Sequence, residues 1–204
     1  MSKDMPTRRD ALLSALGAGA FFLIPEVARA SDSATGPAME FSFDQLKAKA
    51  RAMSRQPFVP AEIPEAGILD TIDYEEHTQI RFRKDKALWS DRPDASPVQF
   101  FFPGRFFKEP VRVYAVESGM AREIPFSTDL FEIPDDNPAR TLTATGGYAG
   151  FRVQDATSGD DWMSFLGASY WRTEGYSGQF GLSVRGLALD TAIPDGPEEF
   201  PRFT

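Results

Sequence analysis

The 204-residue chain contains no cysteine. That excludes disulfides, a thiolate nucleophile and any zinc site built on thiolates. Histidine is nearly absent, with His77 the only one. A multi-histidine metal centre is therefore excluded, and so is a serine triad at any other place in the chain. No Gly-x-Ser-x-Gly elbow occurs, and no calcium loop pattern is present. Gly146, Gly147 and Gly150 are not followed by a Lys-Ser/Thr pair. They read as a turn rather than a phosphate loop. Basic residues are outnumbered, 22 Lys and Arg against 30 Asp and Glu, for a net charge of −8. Dropping the first 30 residues, which hold four basic and three acidic side chains, takes the charge to −9. Such a chain lacks the clustered cations that bind phosphate backbones, so nucleic acid is excluded as a partner. No apolar run is long enough to span a bilayer comfortably. The longest, Ala11 to Ile24, is short of the roughly 20 residues required.

What the chain has is an address, a helix and many short strands. Thr7, Arg8, Arg9 and Asp10 open an apolar stretch that ends at Ala28, Arg29 and Ala30. This order resembles a twin-arginine export signal, with Arg8 and Arg9 as its motif and cleavage after Ala30. The expected partner is the twin-arginine export machinery, the expected destination is the periplasm, and no stable membrane anchor remains after cleavage. The domain reading is residues 1–30 as signal peptide, 31–40 as linker and 41–204 as the globular part. Ser42 with Gln45 forms a capping box, and Phe43, Leu46, Ala50 and Met53 recur at helical spacing. This predicts a helix over Phe43–Arg55, with a second short helix near Glu65–Asp70.

Period-two patterns dominate from there. Ile80 and Phe82 alternate with arginines, Val98–Phe102 is a compact apolar run, and Val111, Val113 and Ala115 alternate with Arg112 and Tyr114. Thr141–Thr145 and Tyr148–Val153 flank the glycine turn, and Asp155–Asp161 reads as a polar loop. Phe165–Arg172 and Phe180–Thr191 read as the two arms of a β-hairpin. The fold class expected is all-β, mainly antiparallel, with a short N-terminal helix. Phe200 and Phe203 sit close to the end without a closing element, so the chain reads as the N-terminal part of a longer, incomplete sandwich.

Alternate residues share a face of a strand. Ala168, Tyr170 and Arg172 share one, as do Ser183 and Arg185 on the partner arm. Phe180, Leu182, Val184 and Ala188 form the apolar set. Tyr170, Arg172, Ser183 and Arg185 are thus the candidate ligand-binding residues. An aromatic ring can stack on the C–H face of a sugar, and Arg and Ser can bond its hydroxyls. The competing reading pairs these arginines with carboxylates on a wet sheet face. Trp89, Trp162, Trp171 and Tyr176 could stack on a sugar or pack in the protein. The aromatic run Phe100–Phe107 reads as core. Asp160 with Asp161, and Glu198 with Glu199, are adjacent pairs whose members point apart, so neither is a ready glycosidase dyad. Asp73, Glu75 and Glu76 read as capping or solvated acids, and His77 as a surface residue opening a strand. No cofactor and no metal are expected.

Several segments together resemble the periplasmic glucan biosynthesis proteins of types G and D. They are Ala87–Trp89, Phe100–Phe102, Ala121–Ile124, Ala149–Val153, Ser164–Tyr170, Gly181–Ser183, Arg185–Ala188 and Glu198–Pro201. The twin-arginine signal makes the chain similar to the D type. The resemblance implies a β-sandwich like that of galactose mutarotases, of which this chain holds a part. It implies a role in binding and tailoring the β-1,2-linked glucose backbone of osmoregulated periplasmic glucans. The D type is associated with β-1,2-glucanase activity, and its catalytic acids fall beyond the matched stretch. The alternatives are a non-catalytic glucan-binding module and a truncated inactive fragment.

Overall fold

A computed structural model describes residues 35–143, 145–167, 170–175, 181–186 and 193–196, with Arg185 described by its backbone alone. Arg8, Arg9, Ala30, Ala168, Tyr176, Phe180, Ala188 and the Glu198–Glu199 pair lie outside the described residues. The element order is β1 (Met39–Glu40), α1 (Phe43–Met53), α2 (Ala66–Thr71), α3 (Tyr74–Gln79), β2 (Arg81–Phe82), β3 (Val98–Phe101), β4 (Val113–Glu117), β5 (Met120–Ile124), β6 (Phe131–Glu132), β7 (Gly150–Gln154), β8 (Asp161–Phe165), β9 (Tyr170–Thr173) and β10 (Leu182–Arg185). Every strand pairing among them is antiparallel. The fold is all-β with short helices.

Three sheets result. Five strands in the order β10-β9-β8-β7-β3 make the main sheet, β1-β5-β4 make a second, and β2-β6 a ribbon. The β4–β5 hairpin closes on Ser118 and Gly119, both at positive φ (49° and 76°), as a two-residue hairpin loop demands. On the main sheet, one face carries Phe100, Phe151, Phe165, Trp171 and Val184 in a single cross-strand row. The β3 and β7 end of that face meets Val113 and Ala115 of β4, joining the first two sheets as layers around one core. Aromatic rings fill the centre. Phe82, Phe100, Phe102, Phe126, Phe131 and Tyr148 form a chain of edge and stacked contacts with centroids 4.4–5.9 Å apart. Tyr148 is fully buried and its hydroxyl donates to the Pro125 carbonyl at 2.8 Å. Burial holds that phenol well above its ordinary pKa.

The helix start is as expected: the Ser42 hydroxyl accepts from the Gln45 amide at 3.2 Å. The apolar stripe of α1 stays exposed, with Phe43 at 74%, so capping and propensity, not burial, account for the helix. Four local expectations are corrected. Phe165–Arg172 is not one hairpin arm: Gly167, at φ 60°, turns the chain between β8 and β9. Thr141 ends a 3-10 turn whose start is capped by Asn137, so the described residues of that segment form no strand. His77 lies in α3, because Asp73 accepts from the Glu75 and Glu76 amides and caps a helix ahead of it. The His77 ring then reaches inward, with Nε2 2.8 Å from the Phe102 carbonyl. Phe100 and Phe102 are core, but Phe106 is exposed, since the run leaves the sheet at Pro103 and Gly104.

Candidate functional site

The site begins with the pairing of β9 and β10. Ser183 lies opposite Arg172, and Arg185 opposite Tyr170. Register thus puts all four positions on one face, because cross-strand partners share a face and residues two apart do too. The Tyr170 hydroxyl is 2.9 Å from Ser183 Oγ, and Arg172 Nε donates to the same hydroxyl at 2.9 Å. This bond holds the guanidinium in its charged form, raising its pKa. Among the described residues Arg172 has no carboxylate partner. Its charge is fixed by a phenol and open to solvent.

A second polar cluster lies at the far side of the same face, and sequence reasoning missed it. Gln99 on β3 is 1% exposed, yet it carries a primary amide. Arg152 on β7 satisfies its oxygen twice, from Nε at 3.1 Å and Nη2 at 2.7 Å. The Gln99 amide nitrogen donates to Gln154 Oε1 at 2.8 Å. Arg152 Nη1 reaches Asp161 Oδ2 at 3.1 Å, and its guanidinium sits 5.6 Å from the centre of the Phe101 ring. Asp161 belongs to β8 rather than to a loop, where a register shift after Val153 sets it opposite Gln154. These groups floor a cleft of about 660 Å³, whose other wall is Arg81, Lys84, Asp85 and Glu132 from the β2–β6 ribbon and the turn after it. Asp160 also lines it. Asp161 accepts from both Arg152 and Gln154, at 3.1 and 3.3 Å, which fixes the position of its carboxylate. The available signal was Arg152 alternating with Phe151 and Val153. Gln99 gave none, being hidden within an apolar run.

None of the other candidates joins these hydrogen bonds. Trp162 is 39% exposed. Trp171 sits on the apolar row, and Trp89 bonds Glu117 through its indole nitrogen at 3.1 Å. Asp73 and Glu76 share a hydrogen bond that lowers the Asp73 pKa and raises that of Glu76. They close a helix start, as capping requires. Among the described residues no cluster of metal-ligating side chains occurs, and no helix is long and apolar enough to cross a membrane.

An antiparallel sheet protein with one core face and one hydrogen-bonding, ring-bearing face is the class these features define. Residues 41–204 match the family described as "Periplasmic glucan biosynthesis protein, MdoG", and the chain belongs to that family. It is 46% identical to glucans biosynthesis protein D 2 of Ralstonia nicotianae, over 98% of this chain and 40% of that protein. It is 36% identical to glucans biosynthesis protein D of Stenotrophomonas maltophilia, over 96% of this chain and 38% of the relative. The protein of that name from Xylella fastidiosa is 38% identical, over 82% of this chain and 32% of its own length. The chain therefore spans two-fifths or less of these curated relatives.

Proposed function

We propose that this chain supplies the glucan-binding sheet of a periplasmic protein that holds and tailors β-1,2-linked glucose backbones. Tyr170, Arg172 and Ser183 are the contact residues, with Arg185 joining them by its register position. One observation carries the reading: Arg172 is tied to the Tyr170 hydroxyl rather than to a carboxylate, on an open sheet face. A sugar offers what this arrangement lacks, C–H faces for the ring and hydroxyls for the guanidinium and Ser183. Family membership supports a role in glucan biosynthesis.

Calorimetric titration of the intact protein with linear β-1,2-glucan tests the reading. Wild type binds, and Arg172→Ala weakens binding about tenfold, which is roughly 1.4 kcal/mol. Equal affinity of the two proteins, or no binding by wild type, defeats it. Periplasmic delivery is part of the same proposal: Arg8 and Arg9 both changed to Lys should leave uncleaved precursor in the cytoplasm, and normal export of that variant would refute the twin-arginine route.

A further inference from the structure

The two polar clusters are joined. Register aligns Gln99 of β3 with Arg152 of β7, Arg152 with Ser164 of β8, Ser164 with Arg172 of β9, and Arg172 with Ser183 of β10. One row of polar positions therefore crosses all five strands on the face opposite the core. Neighbouring strands are about 4.8 Å apart, so four steps cover roughly 19 Å. The row is graded in depth. Gln99 is sealed, Arg152 and Ser164 are half-buried, and Arg172 and Ser183 are exposed. Its inner end opens into the cleft beneath the β2–β6 ribbon, and its outer end is the Tyr170 cluster.

The chemistry of the row selects a long polyol over a polyanion. The charge of Arg152 is already met by Asp161, which leaves one unneutralised guanidinium in the row among the described residues. The remaining groups of the row are an amide and two hydroxyls. Such a mixture of donors and acceptors suits hydroxyls, which donate and accept alike. Phe101 at the inner end and Tyr170 at the outer end provide ring surfaces near the two arginines.

We infer that a single glucan chain lies across the strands along this row, engaging the Arg152 cleft and the Tyr170 cluster together. Recognition then requires several sugar units. This rests on the glucan-binding reading above and adds to it a path and a length requirement. Ser164, midway, stands between Arg152 and Arg172, so bulk there blocks the path, and unchanged disaccharide binding by that variant shows that the Tyr170 cluster itself is undisturbed.

Titration of the intact protein with a β-1,2-linked disaccharide and with a long linear β-1,2-glucan decides the matter, using wild type, Ser164→Leu, Arg152→Lys and Arg172→Ala. Thermal melting of each variant checks the fold. The long chain should bind wild type about tenfold or more tightly than the disaccharide. Ser164→Leu should weaken the long chain by about tenfold with an unchanged melting point. Arg152→Lys keeps the charge but loses the fork that spans Gln99 and Asp161, and should weaken the long chain while leaving the disaccharide alone. Equal affinity for both sugars overturns the inference. So does an unaffected long chain in Ser164→Leu, even if Arg172→Ala binds weakly, a result that would keep the local site and remove the path. No glucan binding by wild type fails the underlying reading itself.

Discussion

The indole nitrogen of Trp89 donates to Glu117 Oε1 at 3.1 Å while the Trp89 backbone sits at φ 62°, a left-handed conformation. Arg92 meets the same carboxylate oxygen at 2.7 Å and lies 5.9 Å from the indole centre. A bulky residue in this region carries strain of about 1 kcal/mol or more, which the surroundings must offset. The offset has two parts, the exposed polar clamp and the packing of Trp89 against the core cluster that holds Val98 and Phe100. Exposed ion pairs contribute little, below about 1 kcal/mol, whereas removing a packed aromatic costs about 3 kcal/mol. Packing must therefore be the larger part. Trp89→Gly should relieve the backbone and still lose about 2 kcal/mol, whereas Glu117→Gln should change stability by less than about 0.5 kcal/mol. Urea unfolding midpoints of both variants check this. A larger loss for Glu117→Gln than for Trp89→Gly would show that the clamp, not the ring, holds the turn.

Gly150 illustrates a different constraint. A Cβ at this position would lie 2.0 Å from the Phe165 carbonyl oxygen and 2.9 Å from the Leu166 Cα, both backbone atoms. The neighbouring strand cannot yield without breaking the β7–β8 ladder that positions Arg152 against Ser164. Gly150→Ala should destabilise by about 3 kcal/mol. Gly119 offers the contrast: nothing lies within 4 Å of its would-be Cβ, but its φ is +76°. Gly119→Ala should cost only about 1 kcal/mol, the backbone term alone. Chemical denaturation of the two variants side by side checks the ordering. Equal losses would mean that β8 shifts to make room.

Which parts of this architecture were legible in the sequence follows from how local their causes are. The capped helix at Ser42 and the alternation around Val113 depend on neighbours a few residues away, and both were readable. The apposition of Tyr170, Arg172 and Ser183 was readable for the same reason, as period-two alternation on two nearby segments sets it. The break at Gly167 was not, because Phe165–Tyr170 holds no charged residue and no proline, and glycine alone marks the turn. His77 was misplaced because a two-residue strand begins just after it and hides the short capped helix. The Gln99–Arg152–Asp161 cluster joins residues 53 and 9 positions apart. Only the pairing of β3 with β7 and the register shift within the β7–β8 ladder bring them together. No local pattern encodes either.

The turn between β7 and β8 gives the chain a measurable dependence on pH. Asp155 Oδ1 accepts from the Thr157 and Ser158 amides, both at 2.8 Å, and Gly159 completes the reversal at φ 75°. Those two backbone bonds hold the Asp155 carboxyl below its ordinary pKa. A carboxylate with a depressed folded pKa contributes stability that is fully present above its unfolded value, about pH 4, and that is lost as pH falls through the folded value. Asp155→Ala should therefore lower the unfolding midpoint at neutral pH, with the difference from wild type shrinking as the solution is acidified below about pH 4. Asp155→Asn keeps an acceptor oxygen for both amides but does not titrate, so it should hold the turn at every pH and diverge least from wild type in acid. Hydrogen exchange at the Thr157 and Ser158 amides reports the turn directly. Protection that ignores pH in the wild type, or that is unchanged in Asp155→Ala, would remove Asp155 as the residue that closes this hairpin.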